Sequence, residues 1–416
     1  MYNVPVLVFI ILITYFTFRK YLKSGDLYTK FYFSIIFFSL LLYVGVGGAS
    51  VELKSPYYCF YGLYLLSIWV GIKLYKPRRI LHDQVFYEDF LNKYALKIVV
   101  IYFLLNISLL LYPDFKLLNL INPPSLDLRS AFEKRFSGEN SLVVSIIRTC
   151  INFCVPFFYF SLYFFRHNIK VIAILLLSIL YIQYCNTGYL GRSDIMIDLV
   201  VLITVAYISK IKWRKYIVLF LILTIPSVTI FLVKFAQIRL ENTVGDISFF
   251  QAVELLFYGE SSYPLLFDEI YKRESNLNDL VDYIYWLLTL VLPISPSIEG
   301  VDVGLNYKIS EYLLHCRRGE TGFFVILPGL LGEAYFVFGK LFWLHGMLYG
   351  YIIAVIYNFF KYRSYCLPLG MLVAVVIGYS CARGGTPAAY PLAIKQVLYF
   401  YIFLRLYAYN KHIKNI

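Results

Sequence analysis

Apolar runs close to the ~20 residues that a helix needs to cross a bilayer recur along the whole chain. They lie at about 2–18, 29–49, 57–74, 95–112, 141–165, 170–186, 190–209, 216–235, 340–360, 366–382 and 391–408. Eleven such stretches, give or take one, in 416 residues leave room for only one substantial exposed segment. Charge is correspondingly scarce. Only 15% of residues are ionisable Asp, Glu, Lys or Arg, whereas a soluble domain averages about 25%. The pattern predicts an all-α polytopic membrane protein of about 10–12 transmembrane helices. The first run, Val4 to Phe18, has no basic segment before it and no small-residue cleavage site after it. It reads as a retained span rather than a signal peptide.

The net charge of +13 invites a nucleic-acid reading, but the basic residues do not form a soluble patch. Most sit in short gaps between apolar runs: Arg19 to Lys30, Lys73 to Lys97, Arg166 and Lys170, Lys210 to Lys215, Lys361 and Arg363, and Arg405 to Lys414. These gaps alternate along the chain, as the positive-inside rule requires of cytoplasmic loops. The remaining gaps then face outward. The longest, about 236–339, holds 14 of the 25 carboxylates, from Glu241 to Glu333. Long loops in compact proteins are usually functional or disordered, and this one is rich in aromatics and amphipathic stretches. Ile247, Phe250, Val253 and Phe257 share one helical face, with Ser248, Gln251 and Glu254 on another. Tyr283 to Leu292 is apolar but too short to span, which suits an interfacial or re-entrant helix. Thr321 to Phe338 is apolar yet broken by Gly and Pro. It is expected to be re-entrant or shielded by neighbouring helices. The organisation expected is an N-terminal bundle at 1–235, an outer loop at 236–339 and a C-terminal bundle at 340–416. Most of the aromatic residues are assigned to the interfacial belts and to packing.

Charges in or beside a span need a reason, because each costs roughly 2.5–3.5 kcal/mol at the bilayer centre. Arg192 and Arg383 lie in short Gly-rich outward turns, where backbone can approach a ligand closely and a guanidinium can fork onto a phosphate. Arg239 ends the eighth span, and Arg317 and Arg318 form the densest outer basic pair. Arg148 lies within its span and reads first as a snorkelling anchor. Glu333 sits in an apolar setting. It stands as a general base, as a clamp on one of the arginines, or as a helix cap. His315 and His345 read as structural, and Gly346 with Gly350 as a helix-packing face. The cysteines read as buried small hydrophobes. There is no phosphate-binding GxxxxGK[ST] loop, and no two acidic residues stand two apart. The sequence therefore offers neither an ATP-driven pump signature nor a DxD clamp. No metal or other cofactor is assigned, and the energy for any chemistry must arrive stored in the substrate.

Three stretches carry a family resemblance. Gly191-Arg192-Ser193, opening a span, resembles the SGSR turn of bacterial polysaccharide polymerases and O-antigen ligases. Leu327 to Gly339 resembles the GE-x-Y-x-N-FG stretch of Wzy-type O-antigen polymerases, with Val337 where that family often has Asn. Arg383-Gly-Gly resembles the Arg-Gly turn before their last span. The resemblance implies a GT-C-like fold and metal-independent, inverting glycosyl transfer on the periplasmic face of a bacterial inner membrane. Donor and acceptor would both be oligosaccharide repeat units on undecaprenyl diphosphate, with membrane lipid and a chain-length regulator as further partners and no nucleic acid. Arg192, Arg239, Arg317, Arg318 and Arg383 would bind diphosphate. Glu333 would be the base or an arginine-orienting carboxylate. A flippase for the same lipid-linked unit, an O-antigen ligase and a membrane acyltransferase are the alternatives. The last would need a His-type dyad that no sequence spacing reveals.

Overall fold

The computed structural model describes residues 4–45, 57–76, 96–105, 142–165, 265–273, 277–289, 305–317, 325–362 and 367–403, with scattered residues between them. Every regular element among the described residues is helical. In chain order these are α1 (Val4–Leu22), α2 (Leu27–Ser39), α3 (Tyr57–Leu74), α4 (Leu142–Phe164), α5 (Leu265–Tyr271), α6 (Leu277–Thr289), α7 (Leu305–Leu314), α8 (Gly329–Phe338), α9 (Phe342–Lys361), α10 (Leu367–Val375), α11 (Cys381–Gly384) and α12 (Thr386–Ala393). Five helical stretches among the described residues are long and apolar enough to cross a membrane: Pro5–Leu22, Leu27–Gly45, Tyr57–Leu74, Gly329–Lys361 and Leu367–Gly384. The chain is an all-helical membrane protein. The stretches expected at 170–186, 190–209 and 216–235 lie outside the described residues, apart from isolated positions.

Two compact units emerge from the packing. The first joins Met1–Ile80, Ile247–Ser364 and Val373–Ile394. Within it, α1 buries Ile10, Thr14 and Phe18, one turn apart, while Val8, Phe9, Leu12 and Phe16 remain about half exposed. A helix apolar on every side but buried on one is built to face lipid with the rest. Asp26 starts α2 by accepting the Thr29 N–H at 3.2 Å, the usual N-cap bond. The most extensive helix pair is α3 with α9. Gly71 and Gly350 make it possible, because a Cβ on either would run into the backbone of Met347 or Ile68. Gly346 lies against Ser67 and Tyr64 of α3, so the Gly346–Gly350 spacing does mark a packing face.

Tyrosines take up backbone groups that irregular helix geometry leaves over. Leu40–Gly45 and Val376–Ser380 are π-helical turns, in which the normal i→i−4 bonding is lost. Tyr57 donates its hydroxyl to the Val44 carbonyl, and Tyr349 donates to Ile377 at 2.8 Å. Tyr32 adds a bond to a regular helix, donating to the Ile353 carbonyl of α9 at 3.0 Å. Tyr32, Tyr57, Tyr61, Tyr64 and Tyr349 are among the most deeply buried side chains. Much of this aromatic complement therefore serves the helix interior rather than a membrane belt.

The segment before α9 is covered by protein. Residues 329–337 are all buried, because α5, α6, α9 and α11 pack around α8. This agrees with shielding by neighbouring helices. Gly339, at φ 53°, ends α8, and a 3₁₀ turn at Gly339–Leu341 leads into α9. The short helix α6 starts at Leu277, six residues before the apolar run seen in the sequence, and its 13 residues are too few to span. At 248–251, Ser248 and Gln251 exchange side chain to backbone bonds of 2.9 and 3.3 Å. They form a capping box, and the rest of the amphipathic stretch expected here, including Val253, Glu254 and Phe257, lies outside the described residues.

An ion cluster ties α6 and α7 together. Asp279 of α6, 1% exposed, receives Arg273 at 2.7 Å and Lys308 of α7 at 2.8 Å. Lys308 also reaches Asp282 at 2.5 Å, and the Arg273 guanidinium lies 3.9 Å over the Phe336 ring of α8. Burial raises the Asp279 carboxyl, but the hydrogen bonds and charges of Arg273 and Lys308 outweigh it and hold it below its ordinary value near 3.8. Burial lowers the Lys308 ammonium, while bonds to Asp279 and Asp282 raise it more. A depressed acid stabilises above its ordinary value and loses that contribution as pH falls through the folded value. A raised base loses its contribution only as pH rises past its own. The cluster is therefore expected to hold throughout the neutral range and to fail below about pH 4. Amide exchange in α6 should rise there in the wild type, and Asp279→Asn should show the same fast exchange already at neutral pH.

The second unit comprises Leu81–Asp246, Tyr365–Leu372 and Lys395–Ile416. Helix α4 contains Pro156, which removes one intrahelical bond. Its Phe157 packs edge-on against Phe400 at 5.2 Å, and Phe153 against Phe403 at 5.3 Å. Cys154 of α4 is buried, but Cys150 of α4 and, in the first unit, Cys59 of α3 are exposed. The expectation of buried cysteines fails for those two.

Candidate functional site

The site forms where α11 gives way to α12. Gly385 separates them at φ 73°, a left-handed value that favours glycine. Thr386 and Pro387 then open α12, and proline suits the first turn because its missing N–H would have no partner there. Gly385 has no side chain with which to cap the helix. Glu333, reaching across from α8, does it instead. Its Oε2 accepts the Thr386 N–H at 2.6 Å, and its Oε1 accepts the Thr386 hydroxyl. Carboxylate charge at a helix N-terminus is favourable, which helps to keep Glu333 in a position that is 0% exposed. A Cβ at residue 385 would collide with the Glu333 carboxylate. The glycine thus serves both the turn and the close approach of the acid.

Two polar side chains extend this contact. Tyr283 of α6 donates to Thr386 Oγ1 at 3.3 Å. His345 of α9, 2% exposed, shares a hydrogen bond of 2.8 Å between Nδ1 and the Tyr64 hydroxyl of α3. Its other nitrogen, Nε2, stands 3.7 Å from Glu333 Oε1, beyond hydrogen-bond range, and has no hydrogen-bond partner. A lone pair facing a carboxylate would be repelled, so electrostatics favours the tautomer with the proton on Nε2 and Tyr64 donating to Nδ1. The ring is confined by Tyr64, stacked at 6.0 Å, and by Phe338, edge-on at 5.7 Å.

The candidate cations fare unequally. Arg383 occupies the last turn of α11, half-buried, on a helix that packs against α8. It is the candidate arginine that the fold brings to Glu333's neighbourhood among the described residues. Arg317 is exposed after α7, where its backbone N–H donates to Glu320 at 2.7 Å. Arg192, Arg239 and Arg318 lie outside the described residues, as does the Arg148 side chain. His315, exposed at φ 51° beyond α7, belongs to a helix end and not to this cluster.

Of the roles open to Glu333, capping is the one its contacts display. Both oxygens are engaged by Thr386, and the arginine turn is held through the backbone that follows Arg383. Reading the sequence alone missed Thr386 and Tyr283 and set His345 aside. Gly-Thr-Pro after an apolar run is a helix-start signal that points to Thr386. Nothing local points to Tyr283 or to the His345–Glu333 approach. The search for an acid–histidine pair by spacing fails because the two sit on different helices. No family model, curated protein or solved structure matches the chain.

Proposed function

We propose that this protein is a polysaccharide polymerase. It joins oligosaccharide repeat units carried on undecaprenyl diphosphate into O-antigen or a related surface polymer, on the outer face of a bacterial inner membrane. The observation that carries the reading is the bond from Thr386 to Glu333. It unites the Leu327–Gly339 and Arg383-Gly-Gly stretches, which are the two best-described parts of the family resemblance yet lie far apart in sequence.

The chemistry follows from that union. An acceptor hydroxyl attacks the donor's anomeric carbon, the carbon–oxygen bond to the lipid diphosphate breaks, and the diphosphate departs with the added charge. A guanidinium placed beside the leaving oxygens stabilises that charge where it develops. Arg383 takes this role, with Arg192, Arg239, Arg317 and Arg318 as further diphosphate ligands. Glu333 orients Arg383 by holding the turn that follows it. The acceptor proton leaves to solvent as the new glycosidic bond forms. The fold would then be GT-C-like, with the outer-loop helices as the sugar-binding side.

Deleting the gene tests the reading. Surface glycan on a gel should collapse to lipid core bearing one repeat unit. Loss of all repeats would select the flippase or ligase instead, and an unchanged ladder with altered acylation would select the acyltransferase. Restoring the gene as Arg383→Ala should cut polymer yield by about 100-fold, the usual scale for a lost charge-stabilising donor. Membrane protein level should stay normal, and Arg383→Lys should recover only part of the yield, since a point charge replaces a fork. Full ladders from Arg383→Ala would remove Arg383 from the site.

A further inference from the structure

A buried imidazole nitrogen without a hydrogen bond is costly, and its presence beside a buried carboxylate oxygen calls for a physical reason. Among the described residues, Glu333 Oε1 has two potential donors. Thr386 holds it in the structure. His345 Nε2 waits 3.7 Å away, on a ring fixed by Tyr64, and a shift of about 0.8 Å would bring it into bonding range. Packing against Tyr64 and Phe338 prevents the ring from turning elsewhere. The carboxylate is the more mobile partner, since glutamate has three side-chain torsions.

We infer that His345 is a positioning residue and the second holder of Glu333: Oε1 passes from the Thr386 hydroxyl to His345, and that exchange loosens the 383–387 turn, which is then held by the Thr386 N–H bond to Oε2. The role rests on the polymerase reading for its purpose, because the arginine turn must grip a diphosphate during transfer and let the product go afterwards. The exchange itself requires only the geometry of Tyr64, His345, Glu333 and Thr386. With His345 as the alternative, Oε1 keeps a donor when the Thr386 hydroxyl lets go, and Oε2 stays with the Thr386 N–H.

The test is amide exchange at residues 384–388 in the full-length protein in lipid nanodiscs, read beside polymer yield in cells. Y64F/H345F removes both the donor and its tether without orphaning a hydroxyl. It should leave Glu333 locked on Thr386, slow exchange of the turn by at least about threefold and depress polymer yield. H345Q, which keeps an N–H donor, should restore both. If the double variant does not accumulate, H345N, whose shorter amide does not reach Glu333, should show the same slowing. Faster exchange would mean that His345 merely packs, and unchanged exchange that it does nothing to the turn; either overturns the inference. Slowed exchange in Y64F/H345F, together with unchanged ladders when the gene is deleted, would support the His345 role and remove the polymerase reading. Lost ladders in Arg383→Ala with wild-type exchange in Y64F/H345F would do the reverse.

Discussion

Glu333→Ala should disconnect α8 from α12 and cost about 3 kcal/mol or more. Two bonds to a charged acceptor disappear, each worth roughly 1.5–3 kcal/mol. The Thr386 N–H and hydroxyl are left buried, since Thr386 is itself 0% exposed. Glu333→Gln should cost much less, because its amide oxygen still accepts from Thr386, although the charge at the α12 N-terminus is gone. Thermal unfolding of the purified protein in detergent, followed by tryptophan fluorescence, measures the difference. The gap between the two variants is the decisive quantity. If alanine and glutamine were equally mild, the capping bonds would contribute little and the site described above would lose its anchor. Gly385→Ala should resemble Glu333→Ala, because the added methyl meets the carboxylate and the backbone angle is unfavourable for it.

Gly350→Val should be the most damaging change away from the site. Added bulk at residue 350 meets the Ile68 backbone of α3, and backbone cannot turn aside as a flexible side chain can. The helices must separate, which breaks up the α3–α9 interface and displaces Tyr64 from His345. Overpacking of this kind costs about 1–3 kcal/mol, and more where backbone must move. Gly71→Val, which meets Met347 from the opposite side, should act in the same way. Each is checked by the amount of folded protein recovered in detergent. Normal recovery of both variants would mean that the helices tolerate separation. A control at Gly25, where an added methyl meets nothing within 4 Å, should be nearly silent.

How far the sequence could be read depends on whether a feature is local. The span at Tyr57–Leu74 appears in the structure with the limits its hydrophobicity implies, because an uninterrupted apolar run has one stable form in lipid. The Gly346–Gly350 packing face is equally legible, since small residues one turn apart mark a close approach. Glu333 stood out because a carboxylate in an apolar run is expensive wherever it lies. Its partner did not stand out, as Thr386 is an ordinary residue in an ordinary helix start. Tyr283 looked like interfacial material and proved to donate into the site. Asp279, Arg273 and Lys308 went unnoticed because three scattered charges in an acid-rich loop acquire meaning only when two helices bring them together.

The chain's amino acids alone determined that it is a helical membrane protein, because hydrophobic length leaves a polypeptide in lipid few ways to satisfy its own backbone. Tertiary structure decided which polar groups meet. The Glu333–Thr386 bond joins residues 53 apart in sequence, and the Tyr64–His345 bond joins residues 281 apart. Pairings of that kind depend on how helices pack, and helix packing is set by many small contacts that no single stretch of sequence contains.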